Sequence, residues 1–215
     1  MLGNLEPIKL LPARERVASV LRKAILSREM TEGSIITLEG IASQLEVSST
    51  PVREAFQILV RDGLIKQRLN RSVEVLGITP RVIRDHYETR AVLEQAAAAA
   101  VCRNRADTQE ITDAYYGSHE ALEAGNSTNY SNYNQAFHVA IWTAAGNDKI
   151  KTLLSEMWNG LSMGHKVTEE EYARISISEH KKILEALLDW NEALARELMG
   201  AHIIRSMENI LTHFS

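Results

Sequence analysis

Ser48-Ser49-Thr50-Pro51-Val52-Arg53-Glu54-Ala55-Phe56-Gln57-Ile58-Leu59-Val60-Arg61-Asp62-Gly63-Leu64 is the stretch on which the reading of the fold turns. Hydroxyl side chains ahead of a proline can cap free backbone N–H groups at a helix start, and Pro51 lacks an N–H that would go unused in the first turn. These signals predict a helix from about Thr50, with Gly63 past its last turn as a stop. Val52, Ala55, Phe56 and Leu59 recur at helical spacing and form the expected buried face. Ser49, Arg53 and Gln57, each four residues apart, share the opposite face. An outward Arg and Gln near a helix N-terminus suit bidentate pairing with guanine and adenine edges in a DNA major groove; the competing reading is a solvated surface.

Working outward, Leu38-Glu39-Gly40-Ile41-Ala42-Ser43-Gln44-Leu45 predicts a short amphipathic helix with Leu38, Ile41, Ala42 and Leu45 inward. Only Glu46-Val47-Ser48 separates it from the next helix, which is helix-turn-helix spacing. Downstream, 64–68 and 72–76 read as strands flanking the turn Leu69-Asn70-Arg71, a hairpin with a basic tip that would make a wing. Upstream, apolar residues from Val17 to Leu26 predict a helix from Pro12 to Met30, ended by Thr31-Glu32-Gly33-Ser34. Residues 1–11 are expected to be a loose arm.

On these residues, from about Arg14 to Leu76, the sequence resembles the GntR family of winged helix-turn-helix transcription regulators. The resemblance implies that Arg53 reads a base, that Ser48, Ser49 and Thr50 approach phosphates or bases, and that Asn70 and Arg71 at the wing tip reach the minor groove. The chain departs from the pattern at Ser49, where many members have Arg, and at Glu39, where some do.

Bulk properties agree with a two-domain chain. Its 215 residues, 45% apolar and 24% charged, can bury one or two cores. No apolar run reaches membrane-span length and the N-terminus lacks a signal-peptide pattern, so no membrane partner and a cytoplasmic location are expected. The single cysteine, Cys102, has no partner for a disulfide or thiolate cluster and reads as a small buried apolar residue. The net charge of −4 is unevenly shared: residues 1–78 carry 11 Lys+Arg against 9 Asp+Glu, a net +2, and residues 79–215 carry 13 against 19, a net −6. Positive charge is thus focused where a phosphate backbone would lie. The local excess is small, so doubling it in a homodimer is expected.

Thr79-Pro80 opens a new helix after the hinge Gly77-Ile78-Thr79-Pro80. Beyond it helices are predicted at 80–104, 109–124, 130–145, 148–164, 170–189 and 192–213, with no strand signal. The fold class is therefore mainly α: a winged helix-turn-helix domain over 1–78, then an all-α helical bundle over 79–215.

The bundle's chemistry lies in three histidines on separate helices. Asn134 and His138 are four apart and share a face; His180 sits on the stripe of Ile177, Ile183, Leu184 and Leu187; His202 follows Leu198 and Met199. Three inward imidazoles with an amide oxygen would give N₃O ligation suited to a divalent metal, Zn²⁺, Ni²⁺ or Mn²⁺, with positions left for water or a ligand. Taken singly, each also fits as a core imidazole, and His86, His119, His165 and His213 are read as core or surface residues. Over about 79–213 the pattern resembles the FCD effector domain of the FadR subfamily, and the resemblance implies metal ligation by Asn134, His138, His180 and His202. Asn134 stands where Asp is usual, so the site lacks one negative charge. Arg90, in Glu88-Thr89-Arg90-Ala91-Val92-Leu93-Glu94, matches a position from which such domains turn an Arg toward the ligand; an ion pair with Glu94 is the alternative. A metal with an arginine nearby implies a small organic acid as effector.

The function expected from these readings is that of a ligand-responsive, non-enzymatic regulator. It would bind a pseudo-palindromic double-stranded DNA operator as a homodimer, as repressor of a metabolic operon, with a small carboxylate as effector. A metal-dependent hydrolase or lyase is one alternative, with Glu179 the nearest general base; a metal sensor without an organic ligand is another.

Overall fold

The computed structural model describes residues 12–26, 29–77, 79–161 and 169–212, which fall into two compact units, residues 1–78 and 79–215. The expected arm at 1–11 lies outside the described residues, as do His165 and His213.

In the first unit, α1 (Ala13–Leu26), α2 (Leu38–Gln44) and α3 (Ser49–Arg61) pack on a three-stranded antiparallel sheet of β1 (Ile35–Thr37), β2 (Ile65–Gln67) and β3 (Ser72–Val75). The α3 face that helical periodicity predicts is buried: Val52, Ala55, Phe56 and Leu59 meet Leu38 and Ile41 of α2, Val17, Leu21 and Ile25 of α1, and Val73 and Val75 of β3, while Leu45, expected inward, is only half-buried. Arg22, also buried, donates to Asp62 at the C-terminal end of α3 across 2.5 Å. This ties α1 to the helix in front of it.

Three sequence readings need correction. Helix α1 ends at Leu26, short of Met30, whose N–H instead returns to the Ala24 carbonyl. Helix α3 begins at Ser49, close to the expected Thr50, but without the expected hydroxyl cap: the Ser48 side chain makes no capping hydrogen bond. Strand β1 was not expected; it pairs Ile36 with Val73 and makes β3 the central strand in the order β1-β3-β2. With three residues at an edge and only Ile36 half-buried, β1 carries no alternation to read. The turn between α2 and α3 is closed by Glu46 in the left-handed region (φ 52°) and by the Val47 N–H on the Ala42 carbonyl.

The second unit is all helix among its described residues: α4 (Pro80–Asn104), α5 (Gln109–Glu123), α6 (Ser127–Ala144), α7 (Asp148–Leu161), α8 (Glu169–Leu188) and α9 (Glu192–Thr212). Thr79 caps α4, its Oγ1 accepting the Val82 N–H at 3.2 Å, with Pro80 in the first turn. Ala97, Ala98, Ala99 and Ala100 are buried, and α4 packs along α9. Gly200 of α9 makes room for the Gln95 side chain of α4: a Cβ there would lie 2.3 Å from the Gln95 amide nitrogen as it stands. Cys102 is buried, as expected of a small apolar residue. No helix among the described residues is long and apolar enough to cross a membrane.

Candidate metal and ligand centre

Four helices converge on the middle of the second unit. Helix α4 supplies Arg90 and Glu94, α6 supplies Asn134, His138 and Trp142, α8 supplies Glu179 and His180, and α9 supplies His202 and Arg205. Within each helix these residues are adjacent or three to four apart, so each set lies on or beside one helical face.

His138, His180 and His202 are all buried and bring ring nitrogens within 4.8 Å of one another. The Nε2 atoms of His180 and His202 lie 3.2 Å apart. Two nitrogens on one metal ion, with bonds of about 2.1 Å, stand about 3.0 Å apart at a right angle and about 3.4 Å at the tetrahedral angle, so the pair already has chelating spacing.

Carboxylates set the tautomers. The His138 Nδ1 lies 3.1 Å from Glu94 Oε1, and the His202 Nδ1 lies 2.7 Å from Glu179 Oε2. Each ring therefore holds its proton on Nδ1 and leaves the Nε2 lone pair for a metal, the usual arrangement of carboxylates behind metal-bound imidazoles. Glu94 has three further donors: Arg90 gives it Nε at 3.1 Å and Nη2 at 2.9 Å, and Trp142 gives Nε1 at 2.7 Å. Glu179 is gripped by the Arg205 fork, Nε at 2.8 Å and Nη2 at 2.6 Å.

These contacts govern the ionisation of the site. Burial alone would raise the Glu94 carboxyl, but the electrostatic pull of the His138 ring N–H and the Arg90 guanidinium, with the hydrogen bonds from His138 and Trp142, outweighs it and brings the pKa down to about 2. Glu179 is lowered in the same way, its burial overcome by hydrogen bonds from His202 and Arg205. Burial, with His202 and His138 close by, pushes His180 well below the ordinary histidine range. Burial also takes His202 down to about 4, against the upward pull of Glu179. The linkage to stability has one sign. Unfolded chains take up protons on these histidines below about pH 6.5, whereas the folded His202 resists until about pH 4, so stability is lost as pH falls through that window. Melting midpoints of the metal-free protein are expected to fall steadily from pH 7 to pH 4; a flat profile would contradict the burial of neutral imidazoles.

The donor set fits a divalent ion. Asn134, one turn before His138, buries its Oδ1 without a hydrogen-bond partner. A buried amide oxygen in that condition is unfavourable unless a cation or donor meets it. Three imidazoles and one amide oxygen make the N₃O set the sequence predicts, and Zn²⁺, Ni²⁺ and Mn²⁺ all accept such ligands.

Arg90 lies in the ion pair with Glu94, its guanidinium 4.5 Å from the Trp158 ring centroid. Sequence reasoning did not find Glu94 as an acceptor for His138 and Trp142, nor Arg205 behind Glu179. The one legible hint was the i,i+3 step from His202 to Arg205. His119 is exposed and His86 half-buried.

In the first unit Ser48, Thr50, Arg53 and Gln57 are exposed and Ser49 is half-buried along α3. Asn70 and Arg71 occupy the hairpin tip in left-handed conformations (φ 61° and 55°). Arg71 stands 3.6 Å from Glu39 of α2, an exposed pair of little energetic weight.

Comparison with known proteins covers both units. The description "Bacterial regulatory proteins, gntR family" matches residues 13–75, and the FCD domain matches residues 85–205. The HTH-type transcriptional regulator YdhC of Bacillus subtilis is 27% identical over 197 residues, 88% of this chain and 87% of the relative. The Nta operon transcriptional regulator of Aminobacter aminovorans is 26% identical over 188 residues, 86% of this chain and 89% of the relative. The gluconate operon transcriptional repressor of B. subtilis is 38% identical over 79 residues, 37% of this chain and 32% of its own length. Among solved structures, E. coli McbR/YncC superposes with a TM-score of 0.70 at 18% identity, covering 96% of this chain and all of the other. A GntR transcriptional regulator from Rhodococcus sp. RHA1 gives 0.60 at 25% identity, covering 93% and 97%.

Proposed function

Because the chain belongs to the gntR family of bacterial regulatory proteins and carries the FCD domain, we propose that it is an operon repressor whose grip on DNA is set by a small carboxylate bound at a divalent metal. The observation that carries this reading is the cluster of His138, His180 and His202, together with the buried, unpartnered oxygen of Asn134 one turn before His138 on α6. When bound, the metal supplies the positive charge that a carboxylate needs in a buried site. The protein's part is to orient the imidazoles, through Glu94 and Glu179, and to surround the ligand with Arg90, Trp142 and Trp158. A homodimer doubles the modest positive charge of each winged unit and matches a pseudo-palindromic operator.

Arg53 and Gln57 are the proposed base readers, Ser48, Ser49 and Thr50 the phosphate contacts, and Asn70 and Arg71 the minor-groove contacts. That the Ser48 hydroxyl is not used as a helix cap supports its assignment to DNA. Arg53→Ala is expected to cost about 1–3 kcal/mol of specific affinity, roughly 5- to 150-fold in Kd, with non-specific binding little altered. Fluorescence anisotropy on DNA from the region upstream of its own gene measures this, and unchanged specific binding would remove Arg53 from the reading face. Adding carboxylates to the same assay, with and without a chelator, tests the effector.

The hydrolase reading is disfavoured by Glu179. Its carboxylate is occupied by the Arg205 fork and the His202 Nδ1, and its pKa is lowered rather than raised toward neutrality, the opposite of what a general base near pH 7 requires.

A further inference from the structure

Behind the histidines lies a second set of buried polar groups with incomplete partners. Arg205 gives Nε and Nη2 to Glu179, yet its Nη1 is buried with no hydrogen-bond partner. The guanidinium lies 4.8 Å from the Tyr172 ring centroid, which fixes the plane of the fork. Tyr130 stands one turn before Asn134 on α6, its hydroxyl next to the buried Ser176 and near enough to the charges of Arg205 and Glu179 to feel them. Burial pushes its phenol up to about 12, so it remains a donor at neutral pH. A buried guanidinium N–H lacking an acceptor is unfavourable, and an oxygen from a ligand removes that defect.

The charges around the centre point the same way. Arg90 with Glu94, and Arg205 with Glu179, cancel as pairs. Ligating imidazoles are neutral, and so is Asn134. A divalent ion here therefore keeps both positive charges uncompensated in a buried site, where charge imbalance is costly. An aspartate at position 134 would cancel one of them, leaving room for a single negative charge.

We propose that the centre takes a dicarboxylate, one carboxylate at the metal and the other held by Arg205 Nη1 and the Tyr130 hydroxyl, with Asn134 setting the preference for two negative charges over one. The inference rests on the metal-and-carboxylate reading above, but it can fail alone.

The test is calorimetric titration of the zinc-loaded full chain with acetate, propionate, malonate, succinate and glutarate, with zinc content measured for each variant. At least one dicarboxylate is expected to bind roughly tenfold or more tightly than the monocarboxylates. Arg205→Lys keeps a charge opposite Glu179 but loses the planar fork; it is expected to weaken that dicarboxylate about tenfold while moving monocarboxylates less than about twofold. Asn134→Asp is expected to shrink the ratio of dicarboxylate to monocarboxylate affinity. Equal wild-type affinity for both classes, or an Arg205→Lys variant that weakens both alike, overturns the inference and leaves a carboxylate effector standing. No binding of any of the five to zinc-replete protein overturns both. Should Arg205→Lys fail to fold, Tyr130→Phe provides the same comparison, and the wild-type ratio decides by itself.

Discussion

His180→Ala is expected to abolish stoichiometric metal binding: elemental analysis after gel filtration should fall from about one divalent ion per chain to a small fraction of that. Three features concentrate the effect on this residue. His180 is fully buried, it lies 3.2 Å through Nε2 from the Nε2 of His202, and its ring stacks on Phe137 at 4.2 Å between centroids. The stacked ring is already held in place, so little ordering entropy is lost when an ion binds. Loss of an outer partner of a metal ligand typically costs 10- to 100-fold in affinity, and loss of a ligand itself should exceed about 100-fold. Metal content unchanged from wild type would reject the histidine cluster as a metal centre.

Glu94→Leu is expected to produce the largest loss of stability available in the second unit. The carboxylate is fully buried and accepts from Arg90, His138 and Trp142 together. Removing it breaks the buried ion pair with Arg90 from one side, a change that costs about 3–5 kcal/mol, and deprives the Trp142 N–H of its acceptor. Since domains have only about 5–15 kcal/mol in total, the melting midpoint should fall on the order of 10–20 °C. The informative control is the double variant Arg90→Met/Glu94→Leu. Replacing both partners with apolar groups restores much of the loss if the penalty lies in the uncompensated charge. If the double variant melts as low as Glu94→Leu, the pairing with Arg90 is not what the carboxylate contributes.

Helix positions were legible wherever local chemistry fixes them. Thr79-Pro80 announces α4 because a hydroxyl cap and a proline without an N–H are signals of a helix start, and the helix begins there. Helix α6 begins at Ser127, earlier than the expected 130, because the Asn126 side chain accepts the Asn129 N–H at 3.0 Å and caps a start that lacks apolar periodicity. The face of α3 was legible because Val52, Ala55, Phe56 and Leu59 repeat at 3.6-residue spacing. Strand β1 was not, because pairing between Ile36 and Val73 leaves no pattern in three edge residues. In the centre, spacing along each helix put the histidines on inward faces, and the resemblance to the FCD domain, not spacing, favoured reading them as one set of ligands. Their carboxylate supports were hidden, since Glu94 and Trp142 meet across 48 positions of sequence and Glu179 and Arg205 across 26. Contacts of that kind follow from how helices cross, and a single sequence holds no direct record of the crossing.

Trp142 and Trp158 give the centre a built-in optical signal. Their rings are 5.8 Å apart and inclined at 65°, Trp158 lies 5.0 Å from the His138 ring and beneath the Arg90 guanidinium, and Trp142 is hydrogen-bonded to Glu94. Of the three tryptophans in the chain, only Trp190 lies elsewhere, in the turn between α8 and α9. Two indoles so close and so fixed should couple as chromophores and give a strong near-ultraviolet circular dichroism band. A paramagnetic ion such as Ni²⁺ at the histidines would quench most of the chain's emission, so occupancy can be followed by fluorescence without any label.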